Sequence, residues 1–159
     1  VSLLHSLRLR DDIVLASGQP KLDLLNGDAT GNGGGSARHV IDMEGGWFNK
    51  GFGVRLIANY QSGTAVTGGS IPGGGIAPNL YFSDLLTANT RLYINFDNRK
   101  VMVAKFPFLK GSRLALRVNN LTNAIQSVRD SNGVQPLRYQ SGYLNPLGRT
   151  FEISFRKIF

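Results

Sequence analysis

Gly148-Arg149-Thr150-Phe151-Glu152-Ile153-Ser154-Phe155-Arg156-Lys157-Ile158-Phe159 is the stretch whose reading decides the fold class. Phe151, Ile153, Phe155 and Phe159 oppose Glu152, Ser154 and Arg156 at a spacing of two. That period places successive side chains on opposite faces of an extended strand, whereas a helix would repeat every 3.6 residues. The stretch reads as an amphipathic β-strand that stops on an aromatic residue.

Upstream, the same alternation recurs five times, and helical periodicity is nowhere sustained. Residues 2–15 set Leu3, Leu7 and Leu9 against Ser6, Arg8 and Arg10. Residues 38–48 set Ile41, Met43 and Trp47 against Asp42 and Glu44. In residues 52–61, Phe52, Val54, Leu56, Ala58 and Tyr60 alternate with Gly53, Arg55, Ile57, Asn59 and Gln61. Residues 81–96 place Leu86, Ala88, Leu92, Ile94 and Phe96 opposite Asn89, Arg91, Tyr93 and Asn95. Residues 112–121 turn Leu114, Leu116 and Val118 away from Arg113, Arg117 and Asn119.

The connections differ in length. Segments 17–37, 62–79 and 122–147 are long and rich in Gly, Asn, Ser and Pro. Between them lie the tight turn Asn49-Lys50-Gly51, with Gly51 supplying positive φ, and a longer segment at 97–111. Long loops at one end and short turns at the other are the asymmetry of outer-membrane barrels, whose long loops lie outside the cell. Trp47, Phe48, Phe52, Tyr60, Tyr81, Phe82, Phe96 and Phe159 fall near strand ends, where interfacial girdles form.

The expected fold is therefore all-β, with about six antiparallel up-and-down strands. Their apolar faces would meet lipid, and Arg55, Asn59, Asn89, Arg91, Arg113 and Arg117 would line a wet interior. A porin-like outer-membrane channel fragment has the same alternation. A soluble β-sandwich binding module, its apolar faces meeting across a core, stays open as a third reading.

Composition narrows the remaining classes. No run approaches the ~18 apolar residues of a transmembrane helix, but a barrel strand needs an apolar residue only at every second position. The chain has no cysteine, which removes disulfide scaffolds and thiolate zinc sites. A net charge of +8 raises nucleic acid as a partner. The 18 Lys and Arg are scattered, however, so solvated or lumen-facing charge is the preferred reading and no nucleic-acid partner is expected.

Catalytic patterns are lacking. His5 and His39 sit on different strands without HExxH spacing, and Asp11 and Asp12 point to opposite faces. Asp42 and Glu44 share a face and read as polar wall. Gly31-Asn32-Gly33-Gly34-Gly35 and Gly73-Gly74-Gly75 lack the Gly-Lys-Ser/Thr ending of a phosphate loop and read as flexible connections. Asn120-Leu121-Thr122 matches a glycosylation sequon and reads as chance. The expectation is no enzyme, no cofactor and no metal. Ligand contacts are expected at Arg55 and Arg91, which could attract an anion, and at Tyr139, Gln140 and Tyr143 in the last long loop.

Several segments together resemble the end of a TonB-dependent receptor. Arg113-Leu114-Ala115-Leu116-Arg117-Val118-Asn119-Asn120-Leu121-Thr122-Asn123 resembles that family's penultimate strand, and residues 148–159 resemble its closing strand. Leu22-Asp23-Leu24-Leu25-Asn26-Gly27-Asp28, Ser36-Ala37-Arg38-His39 and Gly111-Ser112-Arg113 are similar to receptors of sphingomonad type. The resemblance implies a 22-stranded transmembrane β-barrel of the cell outer membrane, closed around an amino-terminal plug. Its function would be import of a scarce nutrient such as a ferric siderophore. Residues 1–159 would be the carboxyl-terminal portion, with the plug domain and targeting sequence upstream and no transport by the fragment alone. Implied partners are outer-membrane lipid, the remaining strands and plug, the barrel-assembly machinery, and the TonB complex acting through the amino-terminal region. Phe151, Ile153, Phe155 and Phe159 match the family's assembly signal. Ser154 and Lys157 stand where the signal has Gly and an apolar residue, and Lys157 is expected to snorkel to water.

Overall fold

The computed structural model of the chain describes residues 1–144 and 147–158. Six strands pair in chain order as one antiparallel meander: β1 (Ser2–Leu7), β2 (His39–Asn49), β3 (Phe52–Gln61), β4 (Leu85–Asn95), β5 (Ser112–Asn119) and β6 (Thr150–Lys157). Lys50 and Gly51 both take positive φ, 45° and 86°, so a two-residue type I′ turn joins β2 to β3 and pairs Asn49 with Phe52. Only glycine fits at Gly51, because a Cβ there would lie 2.5 Å from the Asn95 carbonyl oxygen.

Residues directly opposite in neighbouring strands share a face. One row across the sheet reads Trp47, Val54, Leu92, Leu116, Ile153. The adjacent row, on the other face, reads Gly46, Arg55, Arg91, Arg117, Glu152. The alternation within each strand thus adds up to one apolar face and one polar face. A one-residue slip in any pairing would move that strand's apolar set to the wrong side.

The sheet is open: among the described residues β1 pairs only with β2, and β6 only with β5. Among the described residues no second sheet packs on its apolar face. Trp47 is 56% exposed, Phe151 67% and Ile153 75%.

A conventional core sits elsewhere, among the long connections. Thr64–Val66, Leu80–Phe82 and Val128–Asp130 form a three-stranded antiparallel sheet with Leu80–Phe82 central. Phe82, the fully buried Val128 and Tyr139 form its core, and Val66 and Leu80 pack against it. The Phe82 and Tyr139 rings meet edge to face, with centroids 5.4 Å apart at 84°. We call this unit the cap.

Two sequence expectations are corrected, and the long connection at 97–111 gains a description. The strand expected over 2–15 ends at Leu7, and Asp12–Ile13 instead pairs with Leu22–Asp23 inside the first long connection. The strand expected over 81–96 is broken. Ser83 N–H bonds the Ser127 carbonyl at 2.8 Å and its hydroxyl accepts the Ser127 N–H, so Tyr81 and Phe82 belong to the cap. Segment 97–111 holds a short helix, α1 (Lys100–Lys105), between the 3-10 turns Phe96–Asn98 and Pro107–Leu109. Six helical residues are too few to register as periodicity.

Candidate functional site

The polar face carries a feature that sheet stability does not favour. Arg55 lies directly opposite Arg91, and Arg91 directly opposite Arg117. Like charges in opposed positions repel. The ends of the row are compensated: Arg55 pairs with Glu44 at 2.7 Å and Arg117 with Glu152 at 3.2 Å. Arg91, in the middle, has no ion pair among the described residues. These side chains are solvated, so each pair contributes about 0–1 kcal/mol and does not explain the row. Local conflicts with stability concentrate where a surface does something else.

One step towards the short-turn end lies an aromatic ladder. Tyr93 is opposite Gly53, and a Cβ at Gly53 would come within 2.1 Å of the Tyr93 ring, so the glycine is what lets the ring lie flat on the strand. Phe48, also opposite Gly53, stacks on Tyr93 with centroids 6.1 Å apart at 20°. The Arg113 guanidinium lies over the Tyr93 ring, 4.3 Å from its centroid and within cation–π range.

Two adjoining open concavities result. The larger, about 480 Å³, is walled by Glu44, Phe48, Tyr93, Arg55, Arg91 and Arg113 among others. The smaller, about 280 Å³, has Arg55, Arg91 and Arg117 with Asn89 and Asn119. Arg55 and Arg91 line both. Planar guanidinium forks beside an aromatic face suit anionic groups, carboxylate or phosphate, on a ligand or partner with planar apolar surface.

Of the residues expected to contact ligand, the structure therefore brings Arg55 and Arg91 together. It places Tyr139, Gln140 and Tyr143 apart from them, in the cap connection. Tyr139 is a core residue, 4% exposed, whereas Gln140 and Tyr143 are exposed. Arg113, Arg117, Tyr93 and Phe48 complete the arginine–aromatic surface. Their sequence signal is parity with Arg55 and Arg91, but the β3–β4 and β4–β5 pairings each span a long connection whose register composition does not give.

The assembly-signal residues Phe151, Ile153 and Phe155 lie on the apolar face at the β6 edge, opposite Val118, Leu116 and Leu114. Phe159 lies outside the described residues. Lys157 shares that apolar face, and its Nζ donates to the Phe108 carbonyl at 2.8 Å. The Asn120-Leu121-Thr122 tract has a structural use. Asn120 holds φ 51°, its Nδ2 donates to the Ala124 carbonyl at 2.9 Å, and its Oδ1 accepts the Ala124 N–H at 2.9 Å. Its amide is buried and committed to closing the β5 end.

His5 and His39 do meet, on the apolar face near the loop end. His5 Nε2 and His39 Nδ1 are 3.2 Å apart, with rings 10° from parallel and centroids 5.4 Å apart. That centroid spacing is what an end-to-end N–H···N bond requires, so the pair is a hydrogen bond in the ring plane rather than a face stack. Among the described residues no third ligand joins them into a metal site. Comparison of the chain with protein-family models, curated proteins and solved structures finds no match in any of the three.

Proposed function

We propose that the six-stranded sheet is a section of the wall of a TonB-dependent outer-membrane transporter, with its apolar face on lipid and its polar face on the lumen. The observation that carries this reading is the pair of adjacent rows. Trp47, Val54, Leu92, Leu116 and Ile153 lie on one face, with Trp47 and Ile153 more than half exposed, and Arg55, Arg91, Arg117 and Glu152 lie on the other. A soluble sandwich needs its apolar faces to oppose each other across a core. Here all six fall on one side of one sheet.

Strand length supports the same reading. Strands β2, β3 and β4 have 11, 10 and 11 residues, and a tilted strand crosses a bilayer in about 9–11. The unpaired edges of β1 and β6 then require further strands, because lipid offers no partner for backbone N–H and C=O groups. Six strands also fall short of the roughly eight of the smallest membrane barrels.

The choice of TonB-dependent transporter rests on the resemblance of residues 113–123 and 148–159. On this reading the complete protein imports a scarce nutrient such as a ferric siderophore, without catalysis. Its partners are the barrel-assembly machinery, a plug domain and the TonB complex. The arginine row is the anion-attracting part of the lumen wall.

The test is to express the protein from its complete reading frame and run the membrane fraction heated and unheated on a gel. A folded barrel migrates differently in the two lanes. Native protein in the soluble fraction, with no change on heating, would overturn the membrane reading in favour of a binding module. Uptake by a deletion strain, across a panel of ferric chelates and saccharides, separates a transporter from a porin-like channel that conducts without energy coupling.

A further inference from the structure

The short-turn end of the sheet carries a surface that the wall function does not use. Segment 96–111 connects β4 to β5 over sixteen residues where a few would suffice. It presents Val101 at 84% exposure and Phe108 at 62%, with Met102 and Phe106 also exposed. Interleaved with them are Arg99, Lys100, Lys105 and Lys110, and Lys50 in the neighbouring turn adds a fifth cation. The segment has one acid, Asp97, and its Oδ1 is occupied by the Gly111 N–H at 2.7 Å. The opposite, long-loop end holds six of the chain's ten acidic residues, at positions 11, 12, 23, 28, 84 and 130. The short-turn end thus concentrates basic charge beside exposed apolar side chains, with one acid among five cations.

Position matters as much as composition. Lys157 and Ser112 belong to the apolar face of the sheet by their pairing. Lys157 Nζ bonds the Phe108 carbonyl, and Ser112 Oγ bonds the Leu109 carbonyl. The segment is therefore tied to the rim of the apolar face rather than to the arginine row. At that rim, Lys50, Asn98, Arg99, Lys100, Val101 and Met102 enclose an open concavity of about 350 Å³. Three cations and two apolar side chains thus line one space of headgroup size.

We propose that residues 99–110, with Lys50, form an interfacial foot that binds the phosphate of anionic phospholipid at the short-turn rim. This rests on the membrane reading above and adds to it a lipid class and a site. Val101, Met102, Phe106 and Phe108 enter the headgroup–acyl boundary while the cations hold phosphates, the division of labour expected of an interfacial segment. Each basic side chain near an anionic surface contributes about a fivefold gain in partition.

The test uses the protein expressed from its complete reading frame, purified in zwitterionic detergent. Phosphatidylglycerol or phosphatidylcholine is titrated in, and the midpoint temperature for loss of the fast-migrating folded form is read on unheated gels. Phosphatidylglycerol should raise the midpoint by several degrees, through preferential binding to the folded state, with an apparent affinity at least about tenfold above phosphatidylcholine. The triple variant K100Q/K105Q/K110Q should keep its lipid-free midpoint and lose the phosphatidylglycerol shift, and inorganic phosphate should not reproduce that shift. Equal shifts from the two lipids, or an unchanged shift in the triple variant, would overturn the foot and leave the barrel reading standing. Absence of any heat-modifiable folded form would overturn both.

Discussion

The cap and the six-stranded sheet solve the burial problem in opposite ways. In the cap, Phe82, Val128 and Tyr139 turn towards each other and leave almost nothing exposed. In the sheet, Trp47, Phe151 and Ile153 turn outwards and share one uncovered face. The cap carries its own apolar solvent, in the form of its core. The sheet leaves its apolar face to be covered by something else, and the proposal is that lipid covers it. Similar residues are used in both, so composition does not separate the two regions. What separates them is whether the pattern converges on a point or runs along a plane.

Substitutions can break this comparison, beginning with the largest effect. Tyr139→Ala removes a buried ring and should cost the cap about 3–5 kcal/mol. Limited proteolysis should then open segments 62–79 and 122–140 while the unfolding midpoint of the sheet hardly moves. Loss of the sheet along with the cap would mean that the two are one cooperative unit.

Ile153→Arg addresses the sheet. On a face surrounded by lipid, a mid-strand arginine costs about 2–4 kcal/mol. On a water-exposed face, a substitution at a residue already 75% exposed should stay within about 0.5 kcal/mol. Denaturant unfolding in bilayers decides between these, with Ser154→Gln on the polar face as a nearly neutral control.

Asn120 sits at the junction of the two regions. Asn120→Ala removes both bonds to Ala124 and leaves a residue that disfavours φ 51° in place. The expected loss is about 2–3 kcal/mol, measurable by thermal unfolding. Arg91→Gln is the smallest change. It removes the middle charge of an opposed row and should stabilise the sheet by up to about 0.5–1 kcal/mol at low salt. It should also weaken binding of anionic ligand. A variant that gains stability and keeps binding would remove Arg91 from the site.

Much of the sheet was legible because each strand declares its faces within itself. Phe52 to Gln61 needs no neighbour to show which residues share a side, and Lys50-Gly51 announces its turn. The cap was not legible, because its strands are three residues long and draw on two separate connections. Tyr81 and Phe82 continue the parity of β4, and the Ser83–Ser127 bonds and the cap pairing reveal the break. Of the site, Arg55 and Arg91 could be named from their polar parity. That Arg55 and Arg91 oppose each other depends on a β3–β4 register set across the cap, and the placing of Arg117 opposite Arg91 and of Arg113 on Tyr93 on a β4–β5 register set across segment 96–111. For Tyr139 the same chemistry that suggests ligand contact, an aromatic with a polar tip, also suits a core position, and burial places it there.

The strand from Thr150 to Lys157 offers the most direct test of the central claim. The chain has no cysteine, so single cysteines can be placed at residues 151 to 156 of the protein in native outer membranes and challenged with a water-soluble, bilayer-excluded thiol reagent. The lipid-wall account predicts labelling with a period of two: cysteines replacing Glu152, Ser154 and Arg156 react, and those replacing Phe151, Ile153 and Phe155 are protected. Uniform labelling of all six positions would contradict it.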